Sequence, residues 1–216
     1  IVQWFLLALW GGALGLWPAT RLKTLRWLWA AGLVFAMGVQ EALLVLEGLW
    51  SLSTGLPLHL CGFAGVLSLP LLFWPKNGLY GFIAYLAAPA AFVTLFFPAV
   101  MACAHPVLMA LAFNQLHVLL SLTPLLLWRM EKPLPQNPRK AFLFGNGYLL
   151  LVSAFNQAFQ TNYLFLRTAP AGTPLAWLMQ NGRAVFIAAL EISCMALFPW
   201  LKTLYERVNR AIAGSR

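Results

Sequence analysis

Two side chains in this sequence are of types that carry out nucleophilic chemistry. Cys61 closes the stretch Leu56-Pro57-Leu58-His59-Leu60-Cys61, and His117 lies within a second apolar run. A thiol becomes a nucleophile when a base or positive group favours the thiolate, and an imidazole is the commonest such base. Ionisable groups at membrane depth are costly, so each is a candidate site residue. The alternative is packing, since a free Cys also behaves as a compact hydrophobe. Cys103 and Cys194 have no comparable neighbours and are read as structural.

The surrounding polar residues allow either reading. His59 and Cys61 are two apart, which on a regular helix turns them about 200° from each other. An extended lead-in after Pro57 would instead put them on one side. His59 is therefore a helper or an interfacial group. Asn114 and Ser121 stand at minus three and plus four from His117, on one helical face. They make His117 either an oriented base or part of a buried network. Asn156, Gln160, Tyr163 and Arg167 are spaced four, three and four, which on a helix is one polar stripe, widened by Gln157, Thr161 and Asn162. The stripe reads as the wall of a polar cavity, against the alternative of an interhelical hydrogen-bond seam. Glu41 and Glu191 are intramembrane carboxylates for which Arg167 and Arg183 are available partners, and Glu47 reads as a solvated or interfacial charge.

The elements that must position these groups are membrane helices. Hydrophobic residues make up 62% of the 216 and charged residues only 9%, against about 25% charged in soluble domains. The expected architecture is all-α, a single transmembrane helical domain over residues 1–216 with seven spans. These are Ile1–Trp17, Leu25–Leu46, Leu56–Trp74, Leu79–Phe97, Val107–Trp128, Ala141–Leu166 and Arg183–Leu204. A short apolar piece, Pro174–Met179, precedes the last. No small-residue cleavage site precedes the basic flank of the first run, so it reads as a span and not a removed signal.

The net charge of +9 resides in loops, which argues for the cytoplasmic bias of membrane proteins and against nucleic acid. Arg21, Lys23 and Arg26 follow the first run, Lys76 the third, Arg129, Lys132, Arg139 and Lys140 the fifth, and Lys202, Arg207, Arg210 and Arg216 the seventh. The connections after the second and fourth runs carry no Lys or Arg. This alternation predicts an odd number of spans, with the N-terminus outside and the C-terminus cytoplasmic. Cys61 and His59 then fall at the outer end of the third span. His117 lies about 15 Å into the fifth at 1.5 Å per residue. The two meet only if the outer half of the bundle holds a cavity.

Leu56-Pro57-Leu58-His59-Leu60-Cys61 resembles the signature of the bacterial YwaF-type integral membrane proteins, which are similar to the animal transmembrane protein 164 acyltransferases. Thr161-Asn162-Tyr163-Leu164-Phe165-Leu166 with Pro170, the Trp177 stretch, Glu191, and Phe113 with His117 also look alike. The resemblance spans roughly residues 20 to 200. Gly62, Val118 and Gln160 depart from the residues common in the family. The resemblance implies a seven-helix protein of the bacterial inner membrane. It also implies transfer of a fatty acyl chain between phospholipids, with Cys61 and His117 as catalytic pair.

Two function classes follow. In the first, a lipid acyltransferase or related hydrolase, His117 takes the Cys61 proton. Asn162, Tyr163 or Gln160 then donates to the oxyanion, and His59, Asn114 and Glu41 help to bind substrate. The second is a non-enzymatic lipid- or solute-binding protein, transporter or accessory subunit of a membrane complex. His59, Cys61 and His117 are zinc-ligand types but lack compact spacing and a fourth candidate, so no metal and no cofactor is expected. The expected partners are phospholipids or lyso-phospholipids, and not nucleic acid.

Overall fold

The structure is a computed structural model that describes residues 1–75 and 77–213, with backbone alone at 77 and 211–213. Lys76 and Arg216 of the charge pattern lie outside the described residues. These form an all-α fold: α1 Val2–Leu16, α2 Leu22–Leu46, α3 Leu60–Phe73, α4 Asn77–Phe82, α5 Ala88–Thr94, α6 Pro106–Arg129, α7 Pro138–Phe159, α8 Pro174–Gln180 and α9 Arg183–Ala213. A π-helical turn, Ile83–Ala87, joins α4 to α5 without a break. Among the described residues, three helices have the length and apolar character to cross a membrane: Ala19–Leu46, Pro106–Arg129 and Arg183–Arg210. Val2–Leu16, Leu60–Phe73 and Gly78–Thr94 are shorter apolar helices.

The bundle is built around α6. Its most apolar window is 61% buried, against 33% for α2 and 17% for α9, because α1, α2, α3 and α5 all pack on it. Three contacts fix its antiparallel register with α2. The Trp29 indole donates to Thr123 Oγ1 at 3.1 Å. A Cβ at Gly32 would stand 2.9 Å from Leu119 Cδ1. At the far end, Glu47 after α2 meets Ala104 and His105 before α6. Gly32 is needed for this approach, and Trp10 fills the remaining space with its indole on Gln115 Oε1. Arg129, in the last turn of α6, donates to the terminal carbonyls of α1 at Leu14, Gly15 and Trp17. That contact satisfies acceptors a helix end leaves over. The π turn is held by Tyr205, whose phenol donates to Ala84 O at 2.7 Å.

α3 is also antiparallel to α2. Phe73 meets Arg26 and Trp27, while a Cβ at Gly65 would stand 2.7 Å from Met37 Sδ and 3.1 Å from Leu116 Cδ1. Hence α3 and α6 run parallel, with Gly65 level with Leu116.

The sixth apolar segment differs from expectation. The helix ends at Phe159 and does not reach Leu166. Gln160 takes a left-handed backbone (φ 54°), and the N–H groups of Gln160 and Thr161 both turn back to Asn156 O. The Asn156 side chain then captures the departing chain. Its Oδ1 accepts from Thr161 Oγ1 at 2.7 Å and Tyr163 N at 2.9 Å, and its Nδ2 donates to Tyr163 O at 2.8 Å. Local side-chain bonds of this type compete with helix continuation. The four-three-four stripe is therefore no helical face. Gln157, Gln160 and Arg167 are exposed, and Asn156 and Tyr163 are buried.

Glu47 also differs, being a clasp and not a loosely solvated charge. It accepts from Ala104 N at 2.7 Å, His105 N at 3.2 Å and His105 Nδ1 at 2.8 Å. Beneath it Leu43, Leu44 and Met109 form a small core with Cys103.

Two outcomes are expected. Asn156→Ala removes three hydrogen bonds from a buried group and costs about 2–4 kcal/mol. Gln160→Ala stays within about 0.5 kcal/mol, both by reversible unfolding in mixed micelles. The His105 ring and the Ala104 amide hold the Glu47 carboxyl below the usual carboxylate range. A depressed carboxyl stabilises above its unfolded value of about 4.3, and the contribution is lost as pH falls through the folded value. Amide-exchange protection at Ala104 and His105 should therefore hold near neutral pH and fall below about pH 4. In Glu47→Gln it should be weak at every pH.

Candidate functional site

The site begins where α3 begins. Pro57 restricts the chain to extended geometry, and Leu58 N turns back to Leu56 O at 2.7 Å. His59 is the N-cap in extended conformation (ψ 149°), so the helix starts at Leu60. Pro57 folds over the first turn, and a Cβ at Gly62 would meet its Cα at 3.2 Å. Gly62, a departure from the family pattern, therefore has a steric reason.

Cys61 is thus the second residue of a 14-residue helix that has neither a side-chain cap nor an acidic residue in its first turn. The first intrahelical bond is Phe63 N to His59 O at 2.9 Å. The amides of Leu60, Cys61 and Gly62 are the donors left over at such an end. The Cys61 side chain stands in that turn, at the positive end of the helix dipole.

His117 is buried in α6. Its Nδ1 lies 2.7 Å from Phe113 O. A carbonyl only accepts, so Nδ1 carries the proton and Nε2 of the neutral ring has a free lone pair. The ring packs on Phe113 at 4.1 Å between centroids. Asn114 is fixed in the same way. Its Nδ2 donates to Ala110 O at 2.7 Å, and its buried Oδ1 has no partner among the described residues. Ser121 turns away, onto His117 O.

The register relates thiol to imidazole. Gly65 is level with Leu116, and Cys61 is one turn nearer the His59 end, about 6 Å along the axis. That is the level of residues 112 and 113, toward which the His117 ring points. The two groups are on adjacent helices about one turn apart, and no direct hydrogen bond joins them. Met37 and Leu116 pack against Gly65, one turn further along α3, and the surface grooves at His105–Leu111 and Ala8–Pro18 lie away from this pair.

The remaining expected residues divide. His59 stacks with Tyr163 at 5.1 Å and Phe165 at 4.9 Å, so it buttresses the loop. The Tyr163 phenol accepts from Leu56 N at 3.0 Å and donates to Leu52 O at 2.9 Å. Asn162 spends both Nδ2 donors on Thr168. Gln160 bonds its own turn at Gln157 O. Tyr163 and Asn162 have no side-chain donor left for an oxyanion and Gln160 is exposed on its own turn, whereas the first turn of α3 has free amides. Glu41 lies near the Trp50 side chain and Tyr163. Glu191 accepts from Asn146 Nδ2 at 3.3 Å. Arg167 and Arg183 pair with neither carboxylate among the described residues. The early end of α7 leaves Arg167 in an exposed loop.

One contributor was not singled out in the sequence. Tyr148 donates to Leu58 O at 2.8 Å, stacks on Phe63 at 4.2 Å and lies near Cys61. Its signal was the buried face of α7, where Ala141, Tyr148, Val152 and Asn156 recur at seven, four and four.

No curated protein and no solved structure matches this chain. A sequence model of the TMEM164 family matches residues 1–202 and so includes the α3 start, α6 and the Asn156–Tyr163 turn. An apolar all-helical bundle carrying the Leu56–Cys61 stretch through that match belongs to the TMEM164 family of membrane proteins.

Proposed function

We propose that the protein is a membrane lipid acyltransferase, or a related lipid hydrolase, with Cys61 as nucleophile and His117 as base. The observation that carries this reading is the tautomer of His117. Nδ1–H is committed to Phe113 O, which leaves Nε2 with the free lone pair a base needs. The seven apolar segments span the bacterial inner membrane, with the N-terminus outside and the His59 end of α3 at the outer face, as the loop charges require.

His117 Nε2 takes the Cys61 proton, and the thiolate attacks the ester carbonyl of a phospholipid. The carbonyl oxygen, negative in the tetrahedral intermediate, receives the amide N–H groups of the first turn of α3. Collapse breaks the ester C–O bond. The lyso-phospholipid alkoxide leaves with the proton from His117, and the acyl group remains as a thioester on Cys61. A second lyso-phospholipid gives its hydroxyl proton to His117 and attacks the thioester, restoring the thiol. Water in that role makes the enzyme a hydrolase. Asn114 Oδ1, an acceptor with no partner among the described residues, suits a hydroxyl of the incoming lipid. His59 and Tyr163 act as positioning residues that hold the strand before Cys61.

The test is acyl transfer in nanodiscs between a labelled phospholipid and a lyso-phospholipid, with trapping of hydroxylamine-sensitive label on the protein. Cys61→Ala should abolish label and turnover while the variant stays folded. His117→Gln should lower turnover about 10²–10⁴-fold, the usual share of a general base. Undiminished transfer in both folded variants excludes the mechanism.

A further inference from the structure

At the other end of the bundle, the start of α2 and the end of α3 form a second polar feature with no part in the thiol chemistry. Arg26 is half-buried, and its guanidinium carbon stands 4.8 Å over the Phe73 ring. Its Nε is shut off from solvent and has no hydrogen-bond partner among the described residues. An aromatic face balances a cation but supplies no acceptor oxygen. A charged donor left unpaired is among the costlier orphans in a protein. Lys23 lies on the same helix and Arg21 is its N-cap residue, and none of the three forms an ion pair with a described residue. α2 also begins without an acidic residue in its first turn.

Two observations give the depth and the ligand chemistry. Trp27 and Trp74 flank Phe73, are 62% and 70% exposed, and contact it at 4.5 Å and 6.0 Å. Exposed indoles beside a cation mark the headgroup level of a bilayer. The Trp29–Thr123 bond places Trp128 level with the first turn of α2, and its indole Nε1 is a second buried donor without a partner among the described residues. Unspent donors and uncompensated cations at one level call for a ligand that is anionic and rich in acceptors.

We propose that Arg26, with Lys23 and Arg21, binds a phosphate-bearing anion at this end, supplied by an anionic phospholipid headgroup or by free phosphate. The planar guanidinium donates to phosphate oxygens in pairs, a geometry that Lys does not reproduce. The site is independent of Cys61.

The experiment measures thermal unfolding and lipid retention by native mass spectrometry. Nanodiscs are prepared from phosphatidylcholine alone or doped with phosphatidylglycerol. A detergent sample receives inorganic phosphate, with chloride at equal ionic strength as its control. Phosphatidylglycerol should raise the Tm of the wild type by about 3 °C or more. Arg26→Gln should lose that shift and retain about tenfold less phosphatidylglycerol. Arg26→Lys, which keeps the charge and guards against misfolding, should recover only part of it. Arg21→Gln should keep most of it. A shift produced by inorganic phosphate and lost in Arg26→Gln supports the site with a soluble anion as occupant. Equal stabilisation of the wild type and both Arg26 variants by phosphatidylglycerol reduces the effect to general surface charge and overturns the proposal. So does the absence of any shift with either anion.

Discussion

The Tyr163 phenol holds together the two irregular stretches at the His59 end of the bundle. It accepts from Leu56 N and donates to Leu52 O, tying the 49–59 segment to the turn that follows α7. In an apolar surrounding, non-helical backbone survives only where its polar groups find partners in the protein. Asn156 provides them on one side, and Tyr148 on the other through Leu58 O. With those bonds made, the chain reaches Pro57 extended and α3 starts at Leu60. Cys61 then lies in the first turn of a helix with spare amide donors. The placement of the thiol thus follows from hydrogen-bond satisfaction more than from the apolar core.

The same constraint acts on α6 in a different way. Its polar side chains bond back to carbonyls four residues earlier: Asn114 to Ala110, His117 to Phe113, Ser121 to His117 and Thr123 to Leu119. Such bonds let polar residues occupy a helix in an apolar bundle without a partner on another helix. For Ser121 and Thr123 they solve a packing problem. For His117 the bond selects which ring nitrogen keeps its proton, which turns a solution for burial into a chemical property.

Much of this was legible in sequence. The apolar runs located the helices because hydrophobicity and length determine them, and Pro106 and Pro174 open α6 and α8 as their fixed φ suggests. The Asn156–Arg167 stripe misled because spacings of four and three suit both a helix face and a turn that an Asn closes upon itself. Nothing in residue types separates the two. The choice is made by where Asn156 Oδ1 finds donors, a tertiary fact. Glu47 was equally opaque, since its partners are fifty-seven and fifty-eight residues away. Tyr148 could have been found from the period of the buried face of α7, but that face carries no chemical signature until Leu58 O is placed beside it.

The separation of Cys61 from His117 also has a physical meaning. α6 is held by Trp29, Trp10 and Arg129 and by the close approach at Gly32, so the imidazole belongs to a helix held along its length by its neighbours. The thiol belongs to the less regular part. There the backbone takes positive φ at Gln160, Leu164 and Phe165, none of them glycine. Non-glycine residues in that region store strain of order 1–3 kcal/mol each. Segments with few regular bonds and stored strain are those that open first. On the proposed chemistry, a lipid acyl carbonyl inserting between α3 and α6 would displace the His59 side of the site, while His117 stays where Phe113 holds it. The extended segment before Cys61 would then be the element that yields.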